Sequence, residues 1–156
     1  MKHQQGFSLI ELMIAIVIVG IITAVAIPNY SDYVTRSRVP EATAALGDLR
    51  VRMEQYYQDN RTYPTDPTGG CVVAPTAPGA TQLQVPIGRN FDFTCGAPTA
   101  TTYTVRADGK GSMAGFRYSV DQFNGQSSTL TGAAAAGGWT AHAPNNCWVT
   151  KKGGAC

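Results

Sequence analysis

The chain has 156 residues, of which 44% are hydrophobic, and its 12 basic and 10 acidic residues give a formal net charge of +2 at pH 7. This length allows one compact domain with its own core, in addition to an apolar N-terminal segment. The near-neutral balance argues against polyanion binding by bulk charge. The sequence contains no recognisable catalytic constellation, so we expect neither enzymatic activity nor a cofactor.

The N-terminal segment is apolar on every face from Phe7 to about Ile27, and no residue between Leu12 and Ser31 carries a charge. Such a run predicts a membrane span or a fully buried helix. Pro28 lacks a backbone N–H and is expected to kink or loosen the helix there. Glu11 is unexpected in this context, because it places a carboxylate at the start of a segment that is otherwise suited to an apolar environment.

Two local interpretations of this segment stay open. A cleaved secretory signal would use the small residues 24–26 as its cleavage site, but a plain signal gains nothing from Glu11. A capping box formed by Ser8 and Glu11 would explain the carboxylate and would start a helix near Leu9. The capping box does not explain why so apolar a stretch comes directly after it.

A third interpretation starts from Gly6-Phe7-Ser8-Leu9-Ile10-Glu11-Leu12, which follows a short leader containing Lys2. This motif resembles the processing site of type IV prepilins, and the similarity continues through "NYSDYVTRSR" and "RMEQYYQDNRTYP". It covers residues 1–64 strongly and the remainder in outline. The resemblance implies that a membrane-embedded prepilin peptidase cuts between Gly6 and Phe7 and methylates the new amine of Phe7.

After such a cut, the position of Glu11 acquires a physical reason. The ammonium group of Phe7 lies one helical turn from Glu11, on the same face. In a bundle of these helices, Glu11 of one subunit can meet the Phe7 amine of a neighbour, which neutralises both charges. A slip by one turn would leave two unpaired charges in an apolar core. We therefore expect Glu11 and Phe7 to determine assembly.

The second half of the predicted helix is amphipathic. Apolar residues recur at steps of three and four, at Ala42, Leu46, Leu49, Met53 and Tyr56 or Tyr57. Pro40 is a second candidate for a kink, and Asn60 and Pro64 predict the end of the helix. We interpret the opposite face as solvated, with Asp48 and Arg52 at ion-pair spacing beside Arg50 and Glu54.

The rest of the chain predicts a long surface loop and then a sheet. Residues 64–88 contain five prolines and read as the loop. Hydrophobic residues then alternate, at Phe91 and Phe93, at Tyr103 and Val105, and at Phe116, Tyr118 and Val120, with Ser127–Thr131 as a weaker fourth segment. Asp108-Gly109 and Asn124-Gly125 are turn signals. We expect a four-stranded antiparallel meander, one face of which covers Leu49 and Met53.

The four cysteines lie at positions 71, 95, 147 and 156 and allow three pairings. Pairing of neighbours, Cys71 with Cys95 and Cys147 with Cys156, closes the shortest loops and is preferred. An exported compartment would permit both disulfides. The alternative is a zinc site, but His142 lies five residues before Cys147 and the spacing is not that of a clustered metal motif.

Three features near the C-terminus remain. The segment "GAAAAGG" (132–138) is expected to be too small and flexible to build structure alone. The loop closed by Cys147 and Cys156 resembles the disulfide region of pilins, a surface for subunit contacts or adhesion, although it could simply staple a tail. Lys151, Lys152 and Trp148 form a candidate contact for DNA or another polyanion, for which two lysines are few.

The periodicities predict an α+β protein in which a long N-terminal α-helix packs on a four-stranded antiparallel β-sheet, and the resemblance implies the type IV pilin fold with a disulfide-closed C-terminal loop. The expected divisions are a leader peptide (1–6), a transmembrane or filament-core helix (7–30) and a globular head domain (31–156). The chain is most similar to PilE-type minor pilins.

The resemblance implies a structural, minor subunit of a type IV pilus that supports twitching motility, adhesion or DNA uptake. Its partners would be other pilin subunits, the prepilin peptidase and the inner-membrane assembly machinery. The chain would span the inner membrane once, with its C-terminus in the periplasm, and then move to the surface pilus. The alternatives are a pseudopilin of a type II secretion system, which shares the N-terminal motif, and an exported module that binds DNA or another ligand.

Overall fold

The computed structural model describes residues 8–64, 85–96 and 98–156. Its elements are a long helix, four strands and a short helix, which are α1 (Leu9–Asn60), β1 (Phe91–Gly96), β2 (Thr104–Gly109), β3 (Phe116–Asp121), β4 (Gln126–Leu130) and α2 (Gly132–Ala136). Single turns of 3-10 helix lie at Gly111–Met113 and Lys152–Gly154. This is the predicted α+β class.

The ends of α1 agree with the signals in the sequence. The helix starts at Leu9, and the backbone N–H of Leu12 donates to the carbonyl of Ser8 at 3.2 Å. At the other end, the side-chain amide of Asn60 donates to the carbonyl of Tyr56 at 2.9 Å. Arg61 then takes a positive φ of 59°, which turns the chain out of the helix. The prediction that Asn60 ends the helix is confirmed.

The chain divides into two compact units, one ending at Thr35 and the other spanning Arg36–Cys156. In the first unit, the large hydrophobic residues from Leu9 to Ile22 are all exposed, by 51% to 78%. No helix within residues 8–64, 85–96 and 98–156 meets the combined length and hydropathy of a membrane span.

The sheet in the second unit is the predicted meander, with strand order β1-β2-β3-β4 and antiparallel pairing throughout. The register is defined at Val105 of β2, which pairs with Cys95 of β1 on one side and with Val120 of β3 on the other. On β3, Tyr118 pairs with Ser128 of β4. This register places the buried members of the alternating pattern on one face.

That face packs with the apolar stripe of α1 into one core. Alternate residues of the first three strands are buried, at Phe91, Phe93 and Cys95, at Val105 and Ala107, and at Phe116, Tyr118 and Val120. The helix contributes Val39, Ala42, Leu46, Leu49 and Met53, each exposed by no more than 1%. The prediction that the sheet covers Leu49 and Met53 is therefore confirmed.

The opposite face of this part of α1 is less uniformly solvated than the charge pattern predicts. Arg52 is exposed and pairs with Asp48 at 2.8 Å, as its spacing indicates. Glu54, however, is half-buried and accepts a hydrogen bond from the hydroxyl of Tyr63 at 2.9 Å. Burial and this carboxylate raise the pKa of Tyr63 to about 12, because both disfavour the phenolate. Glu54 is half-buried because Tyr63, which lies beyond the end of the helix, folds back over it.

The segment "GAAAAGG", which is expected to be too small and flexible to build structure alone, is ordered through contacts with the rest of the head. Residues Gly132–Ala136 form α2, and Ala134 is buried. Trp139, shortly after the helix, holds it in place, because its backbone N–H donates to the carbonyl of Ala134 at 3.1 Å. The ring of Trp139 packs edge to face on Phe116, with centroids 4.9 Å apart. Tertiary packing thus stabilises a segment of weak sequence signal.

Candidate functional site

The exposed half of α1 is the first candidate site. Glu11 lies in the first turn of the helix and is exposed. From Leu9 to Ile22 the helix shows apolar side chains on all sides. Soluble monomers rarely expose contiguous apolar surfaces beyond a few hundred Å², so this surface indicates contact with lipid or with other protein chains. Gly6 and Phe7, the predicted processing residues, lie outside the described residues.

The C-terminal loop is the second candidate site. A disulfide joins Cys147 to Cys156, with their Cα atoms 6.0 Å apart. Inside the ring, the backbone N–H groups of Thr150 and Lys151 donate to the carbonyl of Ala155 at 2.8 and 3.2 Å. Gly153 and Gly154 take φ values of 74° and 76°, in the left-handed region that glycine favours. The predicted Cys147–Cys156 disulfide is present and closes a compact loop.

Hydrogen bonds to the sheet anchor this loop. The hydroxyl of Ser128 donates to the carbonyl of Cys147 at 3.0 Å and accepts the N–H of Val149 at 2.9 Å. The hydroxyl of Tyr118 donates to the carbonyl of Val149 at 3.0 Å. Burial raises the pKa of Tyr118, so this donor keeps its proton. The loop therefore presents its outer residues from a fixed base.

The three residues predicted as a polyanion contact divide between two roles. Lys151 and Lys152 are exposed on the loop. Trp148 is half-buried against the core, and its indole N–H donates to the carbonyl of Ser119 at 2.9 Å. The structure thus brings the two lysines together at the surface, while Trp148 ties the loop to β3.

The zinc alternative can be compared with the geometry of the same loop. His142, Cys147 and Cys156 place one ligand atom each within 4.8 Å of one another. Zinc binds the thiolate form of cysteine, whereas these two sulfur atoms are joined in a disulfide. In addition, Nδ1 of His142 lies 2.9 Å from the carbonyl oxygen of Gly154. The oxidised loop does not offer a thiolate site for zinc.

The second predicted disulfide remains a prediction. Cys95 lies on β1, is 8% exposed and is disulfide-bonded. Its predicted partner, Cys71, lies outside the described residues. The anchoring roles of Ser128 and Tyr118 gave no distinct signal in the sequence, because each acts on a segment at least 19 residues away.

A basic pocket was also missed in the sequence. Its lining comes from three separate parts of the chain, at Arg38, at Arg89 and Asn90, and at Lys110, Gly111 and Ser112. The sequence indicates only a hairpin tip at Gly109–Ser112, rather than a phosphate loop. No local motif could have found the pocket, because about fifty residues separate its first two arginines.

Comparison with family models finds two matches that together cover most of the chain. A model described as type IV minor pilin ComP, DNA uptake sequence receptor, matches residues 28–119. A model of the prokaryotic N-terminal methylation motif matches residues 1–27. The second match covers the segment that contains Gly6, Phe7 and Glu11.

Several curated proteins are similar to the N-terminal part of the chain. The fimbrial protein EcpC of Eikenella corrodens is 44% identical over 71 residues, which cover 46% of this chain and 46% of that protein. The type IV major pilin protein PilE of Neisseria gonorrhoeae is 44% identical over 71 residues, which cover 46% of this chain and 42% of that protein. The chain therefore spans less than half the length of these relatives.

A solved structure is similar to the fold. It is the non-core minor pilin PilV of Neisseria meningitidis, with a TM-score of 0.50 and 16% identity, and the match covers 64% of this chain and 91% of that chain. At this identity the likeness concerns the fold alone. It agrees with the arrangement of α1 and the four-stranded sheet.

Proposed function

This chain belongs to the family of type IV minor pilins described by the ComP model, and we propose that it is a minor subunit of a type IV pilus. In this proposal a prepilin peptidase cuts between Gly6 and Phe7 and methylates the amine of Phe7. The mature chain then joins other pilin subunits through residues 7–27. The role is structural, and the chemistry of processing belongs to the peptidase.

One observation carries the proposal, namely the apolar surface of α1 with a single carboxylate in its first turn. Between Leu9 and Ile22 every large hydrophobic side chain is at least half exposed. Burying such a side chain contributes about 1.5–3 kcal/mol, so the helix gains much free energy when other chains surround it. Glu11 then fixes the axial register, because it must find the Phe7 amine of a neighbouring subunit in an apolar core.

Substitution of Glu11 tests this assignment. Glu11→Val removes the charge and retains an apolar helix, so we expect processing to continue while incorporation into filaments falls at least about tenfold, since a lost buried ion pair costs several kcal/mol. Asp59→Asn is the matched control, because it removes an exposed carboxylate near the other end of α1. Immunoblots of sheared pili and of membranes measure both quantities. Normal incorporation of the Glu11→Val chain would show that register is set elsewhere.

We also propose that the unassembled chain is held in the inner membrane by residues 7–30, with residues 31–156 in the periplasm. The support is the uncharged and predominantly apolar composition of residues 12–27 and the methylation motif match. Protease added to spheroplasts should degrade the head and leave a short membrane-protected fragment. Complete release of the chain by carbonate extraction would contradict a membrane-spanning precursor.

A second role, contact with DNA, is favoured by the description of the matching family and by the exposed pair of lysines. Lys151 and Lys152 lie on a loop that a disulfide and β-strand contacts hold in place. A pair of cations on an anchored loop can contact DNA phosphates even where net charge is low. We propose that this loop contributes to DNA uptake by a pilus that contains the subunit.

Salt titration of DNA binding tests this second role. For Lys151→Gln/Lys152→Gln we expect weaker binding and a salt slope reduced by roughly 2, because about one counterion is released for each phosphate contact. The control is Arg52→Gln/Arg61→Gln, which removes the same charge from exposed positions on or next to α1. Trp148→Phe should mainly lower stability, because its N–H anchors the loop. Equal loss with both double variants would indicate a non-specific charge effect.

A further inference from the structure

The basic pocket lies entirely within the second unit and is separate in sequence from the C-terminal loop. It is an open cavity of about 500 Å³, and its lining includes three cations and no carboxylate, at Arg38, Arg89, Asn90, Lys110, Gly111 and Ser112. Its volume falls in the range of about 300–1,000 Å³ that is typical of small-ligand sites. We propose that this pocket binds a phosphate group, carried by a phospholipid headgroup or present as free phosphate.

The three cations come from different segments of the chain, and not all of them pair with a carboxylate. Arg38 on α1 donates from its guanidinium to the hydroxyl of Ser112. Lys110, in the turn after β2, pairs with Asp92 at 2.6 Å. Arg89 is exposed, and within residues 8–64, 85–96 and 98–156 its guanidinium makes no ion pair. Asp92 thus offsets the charge of Lys110, whereas the described residues give Arg89 no such partner, so a bound anion would reduce the repulsion among the three cations.

Hydrogen bonds of the lining residue Asn90 hold the pocket in shape. Glu41 follows Arg38 by three residues on α1, and its carboxylate accepts the backbone N–H of Asn90 at 2.8 Å and the side-chain amide of Asn90 at 2.5 Å. The backbone N–H of Lys110 donates to the carbonyl of Asn90 at 2.9 Å. Asn90 therefore ties the helix to the β2–β3 turn, which fixes the backbone around the pocket before a ligand binds.

The donor set suits a phosphate. A guanidinium presents parallel N–H groups that match two oxygens of one phosphate, and Arg38 and Arg89 provide two such groups. The hydroxyl of Ser112 accepts from Arg38 and can still donate its own proton. Two arginines, one lysine and a hydroxyl can thus satisfy one tetrahedral anion.

The shape and place of the pocket favour one small anion over a DNA strand. Duplex DNA carries one charge for about every 1.7 Å of its axis and is bound by an extended row of cations rather than by one concavity. Arg38 lies eleven residues after Ile27, and the exposed Tyr30 and Tyr33 lie between them. Tyrosines followed by cations at the end of an apolar run are typical of the membrane interface. The lipid source rests on the proposed membrane insertion, whereas the phosphate chemistry does not.

The test uses the full-length chain in a non-ionic, phosphate-free detergent, with the side-chain Nε–Hε NMR signals of its arginines as the readout. Inorganic phosphate should shift the signals of Arg38 and Arg89 and leave Arg52 unchanged. Arg89→Gln should weaken binding about tenfold, because charge-assisted hydrogen bonds are lost. Arg52→Gln, which removes the same charge from an exposed site on α1, should change it less than about twofold.

Folding and ligand source are controlled separately. Arg89→Gln leaves the Arg38–Ser112 and Lys110–Asp92 contacts in place, so the head should stay folded. Lys110→Gln is a second variant of the pocket, and the unfolding midpoint of each variant shows whether weaker binding is due to loss of the fold. Shifts caused by phosphatidylglycerol but not by phosphatidylcholine support the lipid headgroup, and shifts caused only by inorganic phosphate support the free ion. The proposal is overturned if no phosphate compound shifts these signals, if Arg52→Gln weakens binding equally, or if only duplex DNA shifts them. None of these results depends on filament assembly.

Discussion

The two halves of α1 differ in whether their hydrophobic residues are buried by the same chain. In the second half, Leu46, Leu49 and Met53 are exposed by no more than 1%, because the sheet of the same chain covers them. In the first half, the large hydrophobic residues up to Ile22 are all at least half exposed. One helix thus combines a segment whose apolar side chains are buried by its own fold with a segment whose apolar side chains only other molecules can bury. Loss of an apolar group should therefore have different consequences in each half.

The largest effect is expected from a substitution in the buried core formed by the second half of α1. Leu49→Ala should lower the free energy of unfolding of the head by about 2–5 kcal/mol, because it leaves a cavity in a packed core. Val17→Ala, in the exposed half, should change this free energy by no more than about 0.5 kcal/mol and should instead reduce filament yield. Denaturant titrations of the full chain in detergent, followed by tryptophan fluorescence, measure both. Equal destabilisation would remove the distinction between the halves.

Loss of the C-terminal disulfide should have the next largest effect. Cys147→Ser/Cys156→Ser should destabilise the head by about 3 kcal/mol, as expected for release of a loop of this length. Circular dichroism should show that the helix content is retained, since α1 does not depend on this bond. If the unfolding midpoint does not change, the contacts of Ser128 and Tyr118 are sufficient to hold the loop.

Tyr118→Phe separates those contacts from the disulfide. It removes the hydrogen bond to Val149 and should cost about 1 kcal/mol, since one buried carbonyl loses its donor. Tyr33→Phe is the control from the exposed half of α1, where the residue is 72% exposed, and it should have no measurable effect. Thermal unfolding of the two variants side by side gives the difference. A loss in Tyr33→Phe equal to that in Tyr118→Phe would contradict the comparison.

The smallest expected effect is a pH dependence due to Glu41. Burial raises the pKa of Glu41, but hydrogen bonds from Asn90, Arg89 and Phe91 outweigh it and leave the pKa below its ordinary value of 4.5. The folded state therefore favours the carboxylate, so this contribution is present above pH 4.5 and is lost as the pH falls through the lowered pKa. Glu41→Gln should reduce the stability difference between pH 6 and pH 3 by under about 1 kcal/mol. An unchanged pH profile, with Asp59→Asn as reference, would show that Glu41 does not contribute.

Periodicity was sufficient to predict most of the fold. The three- and four-residue steps from Ala42 to Met53 identified the buried stripe of α1, and the alternation at Phe91 and Phe93 identified the first strand. These signals are strong because each buried face repeats along one continuous element. Asn60 also ended the helix as expected, because Arg61 leaves the helical conformation.

Features that depend on distant residues could not be predicted in this way. Glu54 belongs to a pattern of surface charge, yet it binds Tyr63, which lies beyond the end of the helix. The alanines of α2 carry little signal, and their helix depends on the packing of Trp139. The pocket of Arg38, Arg89 and Lys110 exists only after three separate segments fold together. The proposed role of Glu11 rests on the resemblance in the N-terminal motif, because geometry within one chain does not provide it.

The central claim is that the exposed half of α1 is processed and then completed by other pilin subunits. Intact-mass measurement of this chain, recovered from sheared native pili, tests the claim most directly. We predict a chain that begins at Phe7 and is heavier by one methyl group. A chain that retains Met1, or one that begins at Ile27 after a signal-type cut, would contradict it.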